Sequence, residues 1–495
     1  MRFNTVSAEK FKRIALSLFF FIDSFGVEIA LSHTEFHDTL AFGFLLLIIP
    51  CYIFLLLSSY LEKKRFGFMF LFLLLTLFFY YGQYFVIVAG FREELSKKYV
   101  SLICGRIEEV YVIKAFFVHI RAMLMLYIGY EVRTKPMEKE QKRKLNPPKT
   151  IISVPYAFSA VATAIFVVSA ICEFVVLIRN ISIGNYLLLR SIDSETDRFS
   201  SGNIMFYFGY FSKWFLPSSY MLLLKHAICG EKKRYRVMIV VMFVYMFLYI
   251  QTGARFAILK VLTAMFIIHN QYVHKINKKD LRWLIPVGVV GMILFSVLSD
   301  IRMNGVSVEG ITTALQKASP DYILYDILSE SGATAISLAN TLQYCPSLIP
   351  HKYFEFFIKM FANVLPSFLN PFYDISMATT SSVFSPLLYG YTGSGYGSSF
   401  ITEVYYYWGL FLYPVLLLYG LIMGKIDSVF HSMGKMTNIV SVFSTIFLFS
   451  EMIYWVRNDV FEIARSYLYC VVLPLILVNL LSARRRKKTT VRKRL

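Results

Sequence analysis

The stretch Gly395-Tyr396-Gly397-Ser398-Ser399-Phe400-Ile401-Thr402-Glu403-Val404-Tyr405-Tyr406-Tyr407-Trp408-Gly409 opens as a Gly/Ser-rich turn and runs without a break into an apolar helix. Glycine-rich backbone at a helix N-terminus presents free N–H groups, which suit an anionic or hydroxyl-rich ligand. Glu403 sits one turn inside the apolar run, and a carboxylate at the rim of a membrane segment is costly enough to count as a functional candidate. The plainer alternative is a capped helix start whose acid snorkels to the interface. The run continues to residue 424. That length crosses a bilayer, and it decides the fold class.

Blocks of the same kind recur along the chain. The 495 residues are 57% hydrophobic and 17% aromatic, with a mean hydropathy of +0.57. That is too apolar for a soluble protein, and the apolar residues come in runs of about 18–25, the length of a spanning helix. A formal net charge of +20 would fit a nucleic-acid partner. The basic residues instead fall in short clusters between apolar blocks, as positive-inside topology requires, so nucleic acid is not expected.

In chain order, Lys10, Lys12 and Arg13 precede a first span at 14–32, which carries Asp23 and Glu28; a second covers 39–60. Glu62-Lys63-Lys64-Arg65 marks the cytoplasmic side before a third span at 67–90, and a fourth follows at 110–130. The basic segment 131–150 is cytoplasmic, and Pro147-Pro148 breaks the chain before a fifth span at 151–178. The acidic 180–203 loop is external, and a sixth span at 204–224 returns to Lys232-Lys233-Arg234-Tyr235-Arg236. Spans seven (237–251) and eight (256–273) form a hairpin turning at Thr252-Gly253-Ala254-Arg255, and span nine is 283–299. Residues 300–396 are the longest stretch without a span; spans ten (398–424), eleven (437–455) and twelve (463–482) follow, and Arg484-Arg485-Arg486-Lys487-Lys488 closes the chain inside. The expectation is an all-α polytopic membrane protein of about twelve transmembrane helices with both termini cytoplasmic. Its parts are an N-terminal bundle (1–299), a large periplasmic loop between spans nine and ten (300–397), and a C-terminal bundle with a basic tail (398–495).

Several chemistries are not written in the sequence. No small-residue cleavage pattern follows the first apolar block, and no repeat recurs at a fixed period. The six cysteines show no CxxC spacing, the histidines no HExxH, and no DxD occurs, so neither a metal nor another cofactor is expected. Cys104 and Cys345 would both face an oxidising compartment, where pairing is one option. Arg282-Trp283 matches part of the QxxRW signature of cytoplasmic sugar polymerases, but position 279 is Lys and the Gln is missing.

With this topology, unusual residues gather on the outer face. Arg255 lies at the turn of spans seven and eight, Arg302 where span nine emerges, Glu330-Ser331-Gly332 in the long loop, Gly395 to Glu403 at the head of span ten, and Arg457 with Asp459 between the last two spans. Positive charge is disfavoured on this side, so external arginines need a reason. Arginine binds phosphate bidentately and stays charged, which suits a diphosphate. Taken singly, each Arg also reads as a snorkelling anchor, Glu330 as a solvated acid and Tyr405 to Trp408 as an interfacial aromatic belt. Five separate segments placing charge or glycine on one face favour a site.

The order Gly253-Ala254-Arg255, Arg302, Glu330-x-Gly332-x-Thr334, Cys345-Pro346, Gly395-x-Gly397-x-Ser399-x-x-x-Glu403-x-Tyr405-x-x-x-Gly409 and Arg457-x-Asp459 resembles the oligosaccharide repeat-unit polymerases of the O-antigen (Wzy) type. The resemblance covers roughly residues 240–465; the first half matches in hydropathy alone, and Asn458 stands where the family often has Gly. It implies a GT-C-like membrane glycosyltransferase at the periplasmic face of the inner membrane. Such an enzyme moves the growing glycan from undecaprenyl diphosphate to the non-reducing end of a new lipid-linked repeat unit. Its implied partners are that lipid-linked oligosaccharide, membrane lipids and a chain-length regulator protein. On this reading Arg255, Arg302 and Arg457 clamp the diphosphate, whose charge grows in the transition state. Glu403, Glu330 or Asp459 takes the acceptor proton, and nothing in the residues ranks the three. Gly395, Gly397, Ser398 and Tyr405 contact substrate.

Two competitors stay open. An O-antigen ligase shares the architecture but relies on an external-loop histidine, and His351, the one histidine in 300–396, sits in no recognisable motif. A flippase of lipid-linked oligosaccharide would draw on in-membrane charges such as Glu173, Lys260 and Glu451, yet the chain lacks the paired repeats of transporters.

Overall fold

The computed structural model describes residues 8–63, 68–97, 101–134, 152–182, 204–250, 255–275, 282, 320–363, 370–372, 380, 383–384, 398–433, 436–457 and 460–492. Long apolar runs that must satisfy their own backbone in lipid become helices, and no strand forms among the described residues. The helices are α1 (Ala8–Leu31), α2 (Phe36–Gly43), α3 (Ile49–Lys63), α4 (Phe68–Val88), α5 (Arg92–Ser96), α6 (Glu109–Arg133), α7 (Tyr156–Ser182), α8 (Ile204–Ser212), α9 (Phe215–Ile228), α10 (Lys232–Ile250) and α11 (Arg255–Ile268). After them come α12 (Pro320–Ser331), α13 (Thr334–Tyr344), α14 (Glu355–Ala362), α15 (Phe400–Trp408), α16 (Leu412–Ser432), α17 (Ile439–Arg457), α18 (Val460–Tyr467) and α19 (Leu473–Arg492).

Among the described residues 8 segments are long and apolar enough to cross a membrane: Ala8–Leu31, Phe36–Tyr60, Phe68–Val88, Glu109–Arg133, Tyr156–Val176, Phe400–Phe430, Ile439–Arg457 and Val460–Ala483. They coincide with spans one to five and ten to twelve of the sequence reading. Span six is two helices, α8 and α9, parted at Lys213-Trp214. Span seven falls on α10, span eight is the shorter apolar helix Ile258–Val273, and span nine lies outside the described residues.

The chain divides into two compact units, one of Met1–Pro148, Leu324–His431 and Tyr454–Phe461, the other of Lys149–Ile323, Ser432–Ile453 and Glu462–Leu495. In the first, α1 and α6 run antiparallel, pinned at both ends. The Lys10 ammonium donates to the Thr134 carbonyl at 2.7 Å and Arg13 to Glu131 at 3.1 Å, while the Tyr127 hydroxyl holds the other Glu131 oxygen at 2.6 Å. At the far end Arg121 Nε meets Ser24 Oγ at 2.9 Å, and its guanidinium pairs with Glu28. Glu28, an acid inside the first span, is thereby compensated by a cation of the neighbouring span, as a charge in a membrane interior requires.

The same α6 crosses α16 through glycine. Gly420 and Gly424 form a small-xxx-small face. A Cβ on Gly420 would lie 2.0 Å from the Leu126 carbonyl, and one on Gly129 2.0 Å from that of Leu417. The close crossing lets the Tyr130 hydroxyl reach the fully buried Asp427 at 2.6 Å.

Segment 300–397 is more than a loop. α13 lies inside the first unit against α4, α6 and α15, with Ala335, Ile336, Ser337, Leu338, Ala339, Asn340 and Thr341 all fully buried. In the second unit, α7 packs on α8 and α9, and α9 on α10 and α11. Lys260 of α11 and Glu451 of α17 form a buried ion pair at 2.5 Å. Two of the in-membrane charges that would suit a transporter are thus matched to each other.

Candidate active site

The opening motif and the Arg-x-Asp element meet in the first unit. Ser399 caps α15 by accepting the Thr402 N–H at 3.1 Å, and the Thr402 hydroxyl bridges Ser399 Oγ and Ser337 Oγ of α13 at 2.8 Å each. That network satisfies the open end of a buried helix. Just upstream, the Ser398 N–H donates to the Arg457 carbonyl at 3.2 Å, and Ser398 Oγ bonds Thr380.

Glu403 faces the same corner. It is 1% exposed, and its Oε2 accepts the Val460 N–H at 2.7 Å. Val460 is the first residue of α18, where backbone N–H groups point out unmatched and carry the positive end of the helix dipole. A carboxylate accepting there makes a charge-assisted bond, short and directional. Two hydrogen bonds, Ser398 to Arg457 and Val460 to Glu403, therefore hold the end of α17 and the start of α18 against the head of α15. α4 adds a third tie, the Tyr80 hydroxyl donating to the Val456 carbonyl at 3.2 Å. The Tyr80 ring lies 6.3 Å from Phe400 and stacks on His119 at 4.6 Å.

Two residues further along α4, Gly82 meets the Glu-x-Gly element. A Cβ on Gly332 would lie 2.1 Å from the Gln83 nitrogen, and one on Gly82 2.4 Å from the Leu328 carbonyl. Gln83 Nε2 also donates to the Ser329 carbonyl at 2.8 Å. The glycine of this element is thus a packing glycine that seats α12 on α4, with Glu330 half-buried at the end of α12.

The remaining sequence candidates divide by position. Tyr405 is half-buried, with His351 edge-on to its ring at 5.4 Å. Arg255 is the first residue of α11, in the second unit, and its side chain lies outside what is described. Arg302, Asp459, Gly395 and Gly397 also lie outside the described residues. Cys104 and Cys345 are free thiols, and burial pushes the Cys345 thiol up to about 12. Among the described residues, no three His, Cys, Asp or Glu side chains gather into a metal-binding group.

Two residues at this corner carried no signal in the sequence. Lys359 of α14 is 1% exposed, its ammonium 5.1 Å from the Phe461 ring centroid and 5.9 Å from that of Tyr407. Those rings adjoin Val460 and stand one turn after Glu403, so a cation is buried beside the carboxylate's own neighbours. Lys359 in Glu355-Phe356-Phe357-Ile358-Lys359-Met360-Phe361-Ala362 reads as a surface charge until packing turns it inward. His351 is the second. Its Nδ1 lies 3.1 Å from the Tyr406 carbonyl. Its Nε2 occupies the place of a side chain at Gly409, where a Cβ would come within 2.7 Å. Gly409 also has φ +51° and ψ −118°, which only glycine adopts without strain. The last glycine of the motif is required twice over.

The family model of the O-antigen polysaccharide polymerase Wzy matches residues 13–489, nearly the whole chain. The chain belongs to the Wzy O-antigen polymerase family. No curated protein and no solved structure matches it. Membership of the Wzy family carries the general activity, O-antigen repeat-unit polymerisation by a multi-pass membrane glycosyltransferase acting on a lipid-linked oligosaccharide.

Proposed function

We propose that this Wzy-family chain transfers the growing glycan from one undecaprenyl diphosphate carrier to the non-reducing end of a new lipid-linked repeat unit. The reaction takes place at the periplasmic face of the bacterial inner membrane, on a GT-C-like scaffold with both termini cytoplasmic, and without a metal ion. One observation carries the reading: the buried Glu403 carboxylate, oriented by the Val460 N–H at the joint of two motifs.

The acceptor hydroxyl attacks the anomeric carbon while the bond to the diphosphate breaks, so a proton must leave one oxygen as charge grows on another. Glu403 takes or orients that proton. Arg457, with Arg255 and Arg302, meets the departing diphosphate, and preorganised guanidinium groups stabilise its charge directly. Ser398 and Tyr405, with Gly395 and Gly397, bind sugar. Glu330 and Asp459 stay as the carboxylates to examine next. The chain-length regulator would act on the assembled polymerase from outside this corner.

Glu403→Gln tests the proposal, because it keeps shape and hydrogen bonding but removes charge and most basicity. The expected result on a lipopolysaccharide gel is core plus a single repeat, with wild-type protein levels in the membrane. A normal ladder from Glu403→Gln would move the base to Glu330 or Asp459. A strain that attaches no repeat at all would instead point to ligase activity.

A further inference from the structure

α14 wears its polarity inside out. Lys359 and Ala362 face inward, whereas Phe354 at its N-cap is 83% exposed and Phe357, Met360 and Phe361 are exposed with it. Phe354, Phe357 and Phe361 stand at i, i+3 and i+7, a single stripe along the helix. A helix bathed in water shows the reverse, lysine outward and phenylalanine inward. With eight residues, α14 is about 12 Å long and falls far short of a bilayer's hydrocarbon core.

What covers the stripe follows from its neighbours. Phe357 meets Trp408 at 5.9 Å, and beyond Gly409 the chain presents Leu410, 94% exposed, and Phe411. From Phe411 the exposed side of α16 runs through Leu418, Ile422 and Val429, the outer stripe of the candidate span Phe400–Phe430. The phenylalanines of α14 thus continue a surface that lies against hydrocarbon. At the other end the Lys352–Glu355 pair, 2.6 Å apart, and the Tyr353 ring beside His351 supply the polar and aromatic groups typical of a membrane interface.

We propose that α14 is an interfacial helix, its Phe354, Phe357 and Phe361 stripe sunk among the acyl chains of the leaflet next to the Glu403 corner. Such helices lie in the plane of the membrane with the apolar face about 5–10 Å into the acyl boundary. The lipid bilayer, rather than a protein, is the partner of this surface. Lys359 is then the residue that points from the membrane-anchored helix toward the corner. This placement is independent of any catalytic role for Glu403.

Nitroxide labels at Phe357→Cys and Phe361→Cys, in a cysteine-free background reconstituted into phosphatidylethanolamine/phosphatidylglycerol vesicles, test it. The expected result is collision with molecular oxygen exceeding collision with a water-soluble nickel chelate at both sites, as at an Ile422→Cys control. Nickel exceeding oxygen would place the stripe in water, and low access to both would place it under a protein; either overturns the proposal. Phe361→Trp with the native cysteines kept gives a second reading. Phospholipid brominated on its acyl chains must quench this variant more than the parent, and equal quenching rejects the inference.

Discussion

Two regions of the first unit bury carboxylates, and they do it differently. Between α1 and α6, Glu131 is met by the Arg13 guanidinium at 3.1 Å and Glu28 by that of Arg121. Where α15 meets α18, the bonds run to the main chain: Ser398 N–H to the Arg457 carbonyl, Val460 N–H to Glu403, and the Tyr80 hydroxyl to the Val456 carbonyl. The helix pair answers charge with charge, so its members can be exchanged together. The corner orients its carboxylate through the path of the backbone, and no exchange of side chains reproduces that. Structural acids and the acid proposed to do chemistry part company on this point.

The largest expected effect strikes the helix pair. Arg121→Leu leaves the half-buried Glu28 inside the first span without its cation and lowers stability by about 2–3 kcal/mol, the cost of an unmatched charge within a span. Arg121→Leu with Glu28→Leu recovers most of it, read as the unfolding midpoint of the purified protein. No second substitution is expected to restore polymerisation to Glu403→Gln. A double variant no more stable than the single one would erase the contrast.

Gly332→Ala comes next. Its methyl meets backbone at Gln83, so α12 and α4 must separate, at about 1–3 kcal/mol for an overpacked contact. Tyr80→Phe removes one tie to Val456, worth about 1 kcal/mol. If that tie positions the corner, polymerisation slows by up to roughly fivefold while membrane levels hold. Unchanged turnover would show that the clasp is complete without α4.

The smallest effect belongs to the α9–α10 turn. Partial burial raises the Glu231 carboxyl, but hydrogen bonds from Arg234, His226 and Lys225 outweigh it and hold the group at about 2. Because the folded value lies below the ordinary 4.5, this stabilisation is present above pH 4.5 and fades as the pH falls from 4.5 toward 2. Glu231→Gln therefore lowers stability slightly at pH 7 and flattens the acid limb of the profile, so that the two proteins converge as the pH falls toward 2.

Hydropathy and charge made most spans legible, because an apolar run long enough to cross a bilayer has few other fates. Glu28 shows the limit of that signal. An acid inside the first span looks like a reason to doubt it, and its answer, Arg121, lies three spans on. α13 shows another. Ala335, Ser337, Ala339 and Thr341 are small and mildly polar, so hydropathy passes over them, yet small residues are what let helices approach closely in a membrane interior. Glu403 stood out as a carboxylate at the head of a span. That Val460 would reach it could not be read from spacing, because two long helices lie between them in the chain.

Gly409 and His351 are far apart in sequence and occupy, in effect, one volume. The imidazole fills the space that a side chain at 409 would need, and the backbone at 409 bends as it does because none is there. The two positions form a single unit of inheritance. A descendant that gains a methyl at 409 must both shrink the ring at 351 and redirect the backbone at 409, and a change at 351 alone leaves a gap beside Tyr405 and Tyr406.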